Sequence, residues 1–138
     1  MEFAQPVVDV AIMCSDFEAS LHFYHECLGL EIVHETNISD EAATKFGLAP
    51  RGFHQVRVRA GETVIKLMEI ASPPPAPEED LRSGVRWLSF YLKDIRETVG
   101  ELKEKGVAFR SEPAPPPDPP GLAVAQGPDG VLIEFLQR

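Results

Sequence analysis

The chain has 138 residues, 43% of them hydrophobic, which is typical of one compact globular domain or of two small units that share a core. Its formal net charge of −9, from 13 basic and 22 acidic residues, disfavours nucleic acid and anionic membranes as partners, since both attract positive charge. No apolar run reaches the roughly 18 residues of a membrane span, and the first residues lack the pattern of a signal peptide. Two cysteines, Cys14 and Cys27, show no paired spacing, so we expect a cytoplasmic protein with reduced thiols.

The first predicted elements are a strand at 7–16 and a helix that Asp16 caps. Gly29 ends this helix, and a second strand follows at 30–35. Apolar residues recur along the helix at helical spacing, which predicts one buried face made of Phe17, Leu21, Tyr24 and Leu28.

The rest of the first half is predicted to form a short extra helix at 39–48 and a β-hairpin with its turn at 60–62. Alternation along the last hairpin strand puts Ile65 and Leu67 on the face that the helix covers. Lys66 then lies on the other face, in a mostly apolar strand. A lysine in such a place needs a partner for its charge.

The second half repeats this order of elements. A strand at 85–94 leads into a helix that Asp94 caps and Gly106 ends, and a further strand is predicted at 107–112. A final hairpin, LAVAQ and VLIEFLQ joined by GPDG, completes the half. The proline-rich stretch at 112–121 is predicted to be a stiff loop, either a lid over a cleft or an ordinary connection.

Each half therefore follows the order β-α-β-β-β, and this internal duplication predicts an α+β fold of tandem βαβββ modules. We expect a single domain, 1–138, in which a proline-rich linker (72–84) joins module one (5–71) to module two (85–138). The uncovered faces of the two sheets are expected to form a shared concave cleft.

Three segments resemble the vicinal-oxygen-chelate superfamily, the group of glyoxalases, bleomycin-resistance proteins and extradiol dioxygenases. They are DFEASLHFYHECLGLEIV (16–33), DIRETVGELKEKGVAF (94–109) and GPDGVLIEF (127–135). The resemblance covers nearly the whole chain and implies the βαβββ fold, a homodimer and, in the family's enzymes, a divalent metal in the cleft. One fold carries many chemistries, so the resemblance does not by itself select an activity.

The family's metal ligands are a histidine in the first strand of each module and a glutamate or glutamine in the last strand. Aligning the modules on Asp16 and Asp94 pairs Asp9 with Trp87, and aligning VIKLM on LIEFL pairs Lys66 with Glu134. The resemblance places the family's ligand positions at these four residues, and only Glu134 matches the pattern. Carboxylate oxygens of Asp9 suit a hard metal, but an indole and an ammonium offer no usable lone pair. We therefore predict no cofactor and no extradiol dioxygenase activity, and leave open a divalent metal at a site that has lost three family ligands.

We expect the ammonium of Lys66 to replace the missing cation, in a buried triad with the carboxylates of Asp9 and Glu134. One alternative is that Lys66 reaches water along a strand edge and has no partner. A second is that Lys66 is a catalytic base or Schiff-base nucleophile. Two neighbouring carboxylates favour the charged ammonium, which argues against the catalytic role.

Trp87, Ser89 and Tyr91 alternate on the predicted cleft face of one strand. The two aromatic rings either stack a flat ligand or fill the space that a metal would occupy. Met13 and Met68 either line the same cleft or belong to the core.

Among the four histidines, His54 is the one expected to face the cleft and touch a ligand. Arg57 and Arg59 follow on the same strand and lie on the face opposite His54. We expect both arginines to lie on the protein surface. If their face of the sheet is instead the one that lines the cleft, they would bind an anionic ligand.

Two functions agree with these residues. The first is a metal-independent binding protein of the bleomycin-resistance type, which holds a small aromatic or amphipathic molecule; the acidic balance suits a cationic one. The second is a lyase or isomerase resembling glyoxalases or epimerases, acting on a small oxygenated metabolite with Glu134 as base and Asp9 or His54 assisting. Because three of the family's four metal-ligand positions carry other residues here, the binding function is favoured over the enzymatic one. The ligand-binding residues would be Asp9, Met13, His54, Lys66, Met68, Trp87, Ser89, Tyr91 and Glu134.

Overall fold

The computed structural model of the chain describes residues 1–114 and 121–138. The fold is α+β with two small sheets and few helices, which confirms the predicted fold class. The chain divides into two compact units, Met1–Pro75 and Ala76–Arg138. Most of the stiff loop predicted at 112–121 lies outside the described residues. Whether it is a lid or an ordinary connection therefore stays a prediction.

The first unit has a four-stranded sheet in the order β1-β4-β3-β2. Strand β1 runs parallel to β4, while β2 and β4 both run antiparallel to β3, so β4 is an interior strand. The elements in chain order are β1 (Val10–Met13), α1 (Phe17–Leu21), a π-helical segment (His22–Cys27), β2 (Glu31–Ile38), α2 (Asp40–Lys45), β3 (Phe53–Ala60) and β4 (Thr63–Glu69).

The second unit has a three-stranded sheet in the order β5-β7-β6. Its first and last strands, β5 and β7, are parallel, as β1 and β4 are in the first unit, and β6 is antiparallel to β7. The elements are β5 (Trp87–Leu92), α3 (Ile95–Glu104), β6 (Leu122–Gln126) and β7 (Leu132–Gln137).

Both predicted helix caps are confirmed. The carboxylate of Asp16 accepts a hydrogen bond from the backbone N–H of Ala19 at 3.1 Å, and that of Asp94 accepts one from Glu97 at 3.0 Å. Each bond satisfies one of the backbone donors that a helix start leaves without an intrahelical partner. Gly106, with φ of +86°, follows α3 in the left-handed conformation that glycine adopts without steric cost.

The first helix differs from its predicted single face because its second half is π-helical. The backbone N–H of Leu28 donates to the carbonyl of Phe23, five residues back, at 2.9 Å. This wider turn buries Phe23, Tyr24 and Cys27 together. Three of the four residues predicted for the buried face are only partly buried: Phe17, Leu21 and Leu28.

The strand predicted at 107–112 is wrong in its extent, since only a single bridge forms, between Phe109 and Ala125. The N–H of Val107 still bonds to the end of α3, and the proline at position 113 has no N–H to donate to a neighbouring strand. Pairing is therefore confined to a few residues between a helix end and a proline.

The alternation of buried and exposed residues fixes the two faces of each sheet. Ile65 and Leu67 of β4 are fully buried, as are Ile133 and Phe135 of β7. Helix α1 packs against β4, and α3 packs against β6 and β7. The side chains between these residues, Lys66 and Glu134 among them, therefore lie on the face away from the helix.

Asp80 attaches the proline-rich segment to the second unit. Its carboxylate accepts hydrogen bonds from the guanidinium groups of Arg110 and, at 3.2 Å, Arg86. Arg110 first and then Arg86 hold the pKa of Asp80 well below its usual range. Arg82 also donates to the carbonyl of Asp129 at 3.4 Å. These contacts lie within the second unit, although the sequence predicts this segment as a linker.

Candidate functional site

The two units repeat each other in strand register as well as in topology. Ala11 of β1 lies opposite Lys66 of β4, and Ser89 of β5 lies opposite Glu134 of β7. Ala11 and Ser89 each stand five residues before the aspartate that caps their helix. The predicted correspondence between Lys66 and Glu134 is therefore confirmed.

The Lys66 face is the surface of the first sheet that carries Asp9, Ala11, Gln55, Arg57 and Lys66. Lys66 Nζ lies 3.4 Å from Asp9 Oδ2, and the two side chains are 28% and 29% exposed. The other oxygen of Asp9 accepts a hydrogen bond at 3.3 Å from a backbone N–H of β4. Because β4 is interior and Lys66 is paired, the alternative of a lysine without a partner at a strand edge is wrong. The part of the triad that involves the second unit stays a prediction.

Arg57 of β3 is the direct cross-strand neighbour of Lys66. Its Nε donates to Oε1 of Gln55 at 2.9 Å, and Gln55 is only 7% exposed. Within the first unit, all of whose residues the structure describes, no carboxylate lies within ion-pair distance of Arg57. The Lys66 face thus places two cations side by side, and the carboxylate of Asp9 contacts one of them, Lys66.

Met13 and Met68 also lie opposite each other on β1 and β4. Met68 is buried in a hydrophobic cluster with Ala43 of α2 and Phe53 of β3, and Met13 packs against this cluster. Between the two alternatives left by the sequence, the structure therefore supports core packing.

His54 lies on the face opposite Lys66, so the expectation that it joins Lys66 on one surface is wrong. The cause is the register of the hairpin, which pairs His54 with Glu69 and Arg57 with Lys66. The two ring nitrogens of His54 lie 3.0 Å from a carboxylate oxygen of Glu69 and 2.8 Å from one of Glu35. Its ring also meets the ring of Phe17 edge to face, at 5.6 Å between centroids.

The Glu134 face is the surface of the second sheet that carries Trp87, Ser89, Tyr91 and Glu134. Trp87 is 52% exposed and Tyr91 is 56% exposed. Between them, the hydroxyl of Ser89 donates to Oε2 of Glu134 at 2.5 Å. The guanidinium of Arg138 lies over the Tyr91 ring, 4.3 Å from its centroid. The structure thus brings the four predicted residues of this unit together on one surface.

The neighbourhood of Arg57 and Lys66 is a feature that the sequence reasoning missed, although a signal for it exists. A hairpin loop of two residues, Gly61 and Glu62, pairs Ala60 with Thr63. Counting three residues outward along each strand from that pair reaches Arg57 and Lys66.

A family model for the Glyoxalase/Bleomycin resistance protein/Dioxygenase superfamily matches residues 7–135. The chain belongs to this superfamily. The uncharacterized protein YwkD of Bacillus subtilis is 32% identical over 98 residues, which are 71% of this chain and 70% of that protein. A probable chloroplastic lactoylglutathione lyase of Arabidopsis thaliana is 25% identical over 135 residues, and these cover 96% of this chain but only 35% of the plant protein.

Among solved structures of the superfamily's fold, the antibiotic binding protein TnmS3 of Streptomyces sp. CB03234 superposes with a TM-score of 0.66. The superposition covers 99% of this chain and 98% of that protein at 22% sequence identity, which shows a shared fold. No described helix of this chain is long and apolar enough to cross a membrane. Within residues 1–114 and 121–138, no group of three or more His, Cys, Asp or Glu side chains is arranged to hold a metal ion.

Proposed function

We propose that this superfamily member binds a small aromatic or amphipathic molecule without a metal, against Trp87 and Tyr91 on the Glu134 face. The observation that carries the proposal is the pair of large aromatic side chains, both more than half exposed on one strand, with a carboxylate between them. Exposed rings of this size are costly to leave in water, and they offer flat surfaces for stacking. The carboxylate suits a ligand with a cationic group.

The chemistry of the donor set supports a metal-independent function. The superfamily's ligand positions correspond here to Asp9, Lys66, Trp87 and Glu134. The ammonium of Lys66 carries no lone pair and already contacts Asp9 at 3.4 Å, and the indole of Trp87 is a donor only. These residues do not fit a catalytic divalent metal, which usually has three protein ligands. No step of the proposed function therefore passes through a metal.

The names of two similar proteins each support one of the two candidate functions. An antibiotic binding protein with the same fold supports ligand binding, and a probable lactoylglutathione lyase supports catalysis. As a lyase or isomerase, this chain would use Glu134 as the base, with its carboxylate oriented by the hydroxyl of Ser89. The two expected assistants argue against that candidate, because Asp9 is paired with Lys66 and His54 lies on the other face of its sheet.

Three compounds of matched shape test the proposal: benzylamine, benzyl alcohol and benzoate. Trp87 is the single tryptophan, so its indole N–H gives one resonance that reports on the Glu134 face. We expect saturable shifts with millimolar affinity for benzylamine, weaker binding of the alcohol and the weakest for benzoate. Tyr91→Ala should weaken benzylamine binding at least about fivefold, or roughly 1 kcal/mol.

Phe46→Ala is the matched control, because Phe46 is also an exposed aromatic residue but lies in the first unit. Equal affinity of all three compounds for wild type and Tyr91→Ala would overturn the binding proposal. Cleavage of lactoylglutathione by the purified protein, lost in Glu134→Gln, would establish the catalytic candidate instead.

A further inference from the structure

We propose that Lys66 and Arg57 form a binding site for an oxyanion, a carboxylate or a phosphate group, on the Lys66 face of the first unit. This inference goes beyond the proposed function, which concerns the Glu134 face of the second unit. Each can therefore hold or fail without the other.

The charges on the Lys66 face are not balanced. Lys66 and Arg57 are direct cross-strand neighbours, so their Cβ atoms lie roughly 4.5–5.5 Å apart. Like charges placed directly opposite each other destabilise a sheet. Asp9 offsets one of the two charges through its contact with Lys66. One positive charge remains, and an oxyanion placed between the two side chains would balance it.

The composition of the chain makes this imbalance informative. The sequence contains 22 acidic residues and a formal net charge of −9. Even so, none of the carboxylates in the first unit lies within ion-pair distance of Arg57. The neighbour of Arg57 on the other side, in β2, is His34, which brings no carboxylate to Arg57. The first unit therefore contains no carboxylate of its own that balances the charge of Arg57.

The two cations are also held in place for a ligand. Gln55, which is nearly buried, accepts the Nε–H of Arg57 and leaves the two terminal nitrogens of the guanidinium to bind. Lys66 is held by Asp9, and a backbone N–H of β4 holds Asp9 in turn. A guanidinium fixed in this way presents parallel N–H donors that match a carboxylate or phosphate.

The test is a titration of the wild-type protein with inorganic phosphate and, separately, with propionate, at constant ionic strength. The Nε–H resonance of Arg57 and the backbone amides of β3 and β4 report the binding. We expect saturable shifts with millimolar dissociation constants. Tighter binding of phosphate would identify the natural ligand group as a phosphate, and tighter binding of propionate would identify it as a carboxylate; either result supports the site.

Three variants assign the binding to this site. Gln55→Glu places a carboxylate at the Arg57 bond and should weaken anion binding at least about tenfold, because it supplies the missing charge from within the chain. Lys66→Gln should weaken binding by a similar factor. Arg96→Gln, which removes an exposed arginine from α3, should leave the affinity unchanged.

Shifts that stay linear up to about 100 mM of both anions would overturn the proposal, as would unchanged affinity in Lys66→Gln. If Gln55→Glu fails to fold, Arg57→Gln replaces it, with thermal stability as the readout. Phosphate should then raise the melting temperature of wild type but not of Arg57→Gln. An equal rise in both proteins would count against the site.

Discussion

The two units of this protein carry opposite charges at the same place in the same fold. Lys66 and Glu134 hold equivalent register positions on the last strands of their units. Lys66 lies beside a second cation and one carboxylate, whereas Glu134 is hydrogen-bonded to a serine between two exposed aromatic rings. The comparison teaches that the repeat conserves the backbone and the buried layer, while the exposed layer is free to change its chemistry.

The largest expected effect tests the shared half of this comparison, the buried layer. Ile65 and Ile133 are fully buried one residue before Lys66 and Glu134. Each change to alanine, Ile65→Ala or Ile133→Ala, should cost about 3 kcal/mol of unfolding free energy, from lost burial and the cavity left behind. Urea denaturation measures the unfolding free energy of both variants. A difference of more than about 2 kcal/mol between them would show that the two cores are not equivalent.

The helix caps give a second test of equivalence at smaller cost. Asp16→Ala and Asp94→Ala should each lower the unfolding free energy by about 1 kcal/mol, because each leaves a backbone N–H at a helix start without its acceptor. Thermal denaturation of the two variants, with Glu18→Ala as a control inside the first helical turn, measures the effect. A loss in only one of them would break the equivalence of the two strand–helix corners.

The pair of Lys66 and Asp9 tests the part of the comparison in which the units differ. The sequence predicts a buried triad of Lys66, Asp9 and Glu134, and the part that involves Glu134 stays a prediction. The side chains of Lys66 and Asp9 are both more than a quarter exposed, so this pair should contribute only about 0.5 kcal/mol. A double-mutant cycle with Lys66→Met and Asp9→Asn measures that coupling. A coupling above about 3 kcal/mol would indicate the buried arrangement instead.

The smallest effect concerns Asp80, whose partners are both in the second unit. Because its pKa is lowered in the folded state by Arg110 and Arg86, its contribution is present above the unfolded pKa of about 4 and is lost as the pH falls below that value. Asp80→Asn should therefore lose less stability than wild type between about pH 4 and pH 2. Glu79→Gln, the exposed neighbour, should follow wild type; identical acid profiles for all three proteins would contradict the assignment.

Much of the fold could be predicted from local sequence patterns, because alternation and capping are local. The strands around Lys66 and Glu134, both aspartate caps and the burial of Ile65 and Leu67 agree with prediction. The π-helical segment could not be predicted, since a period of 3.6 residues assumes hydrogen bonds four residues back.

The candidate site was harder to predict because it depends on cross-strand neighbours. The position of His54 beside Glu69, and of Arg57 beside Lys66, follows from hairpin register rather than from either strand alone. The ligand and the homodimer stay predictions, because both depend on molecules outside this chain.

The most direct test of metal-independent binding compares benzylamine affinity before and after exhaustive dialysis against EDTA, with elemental analysis of the same samples. We predict far less than one metal ion per chain and the same saturable shift of the Trp87 indole N–H in both samples. Benzylamine binding that appears only after Ni²⁺ or Zn²⁺ is added, or one bound metal ion per chain that Glu134→Gln removes, would contradict the account.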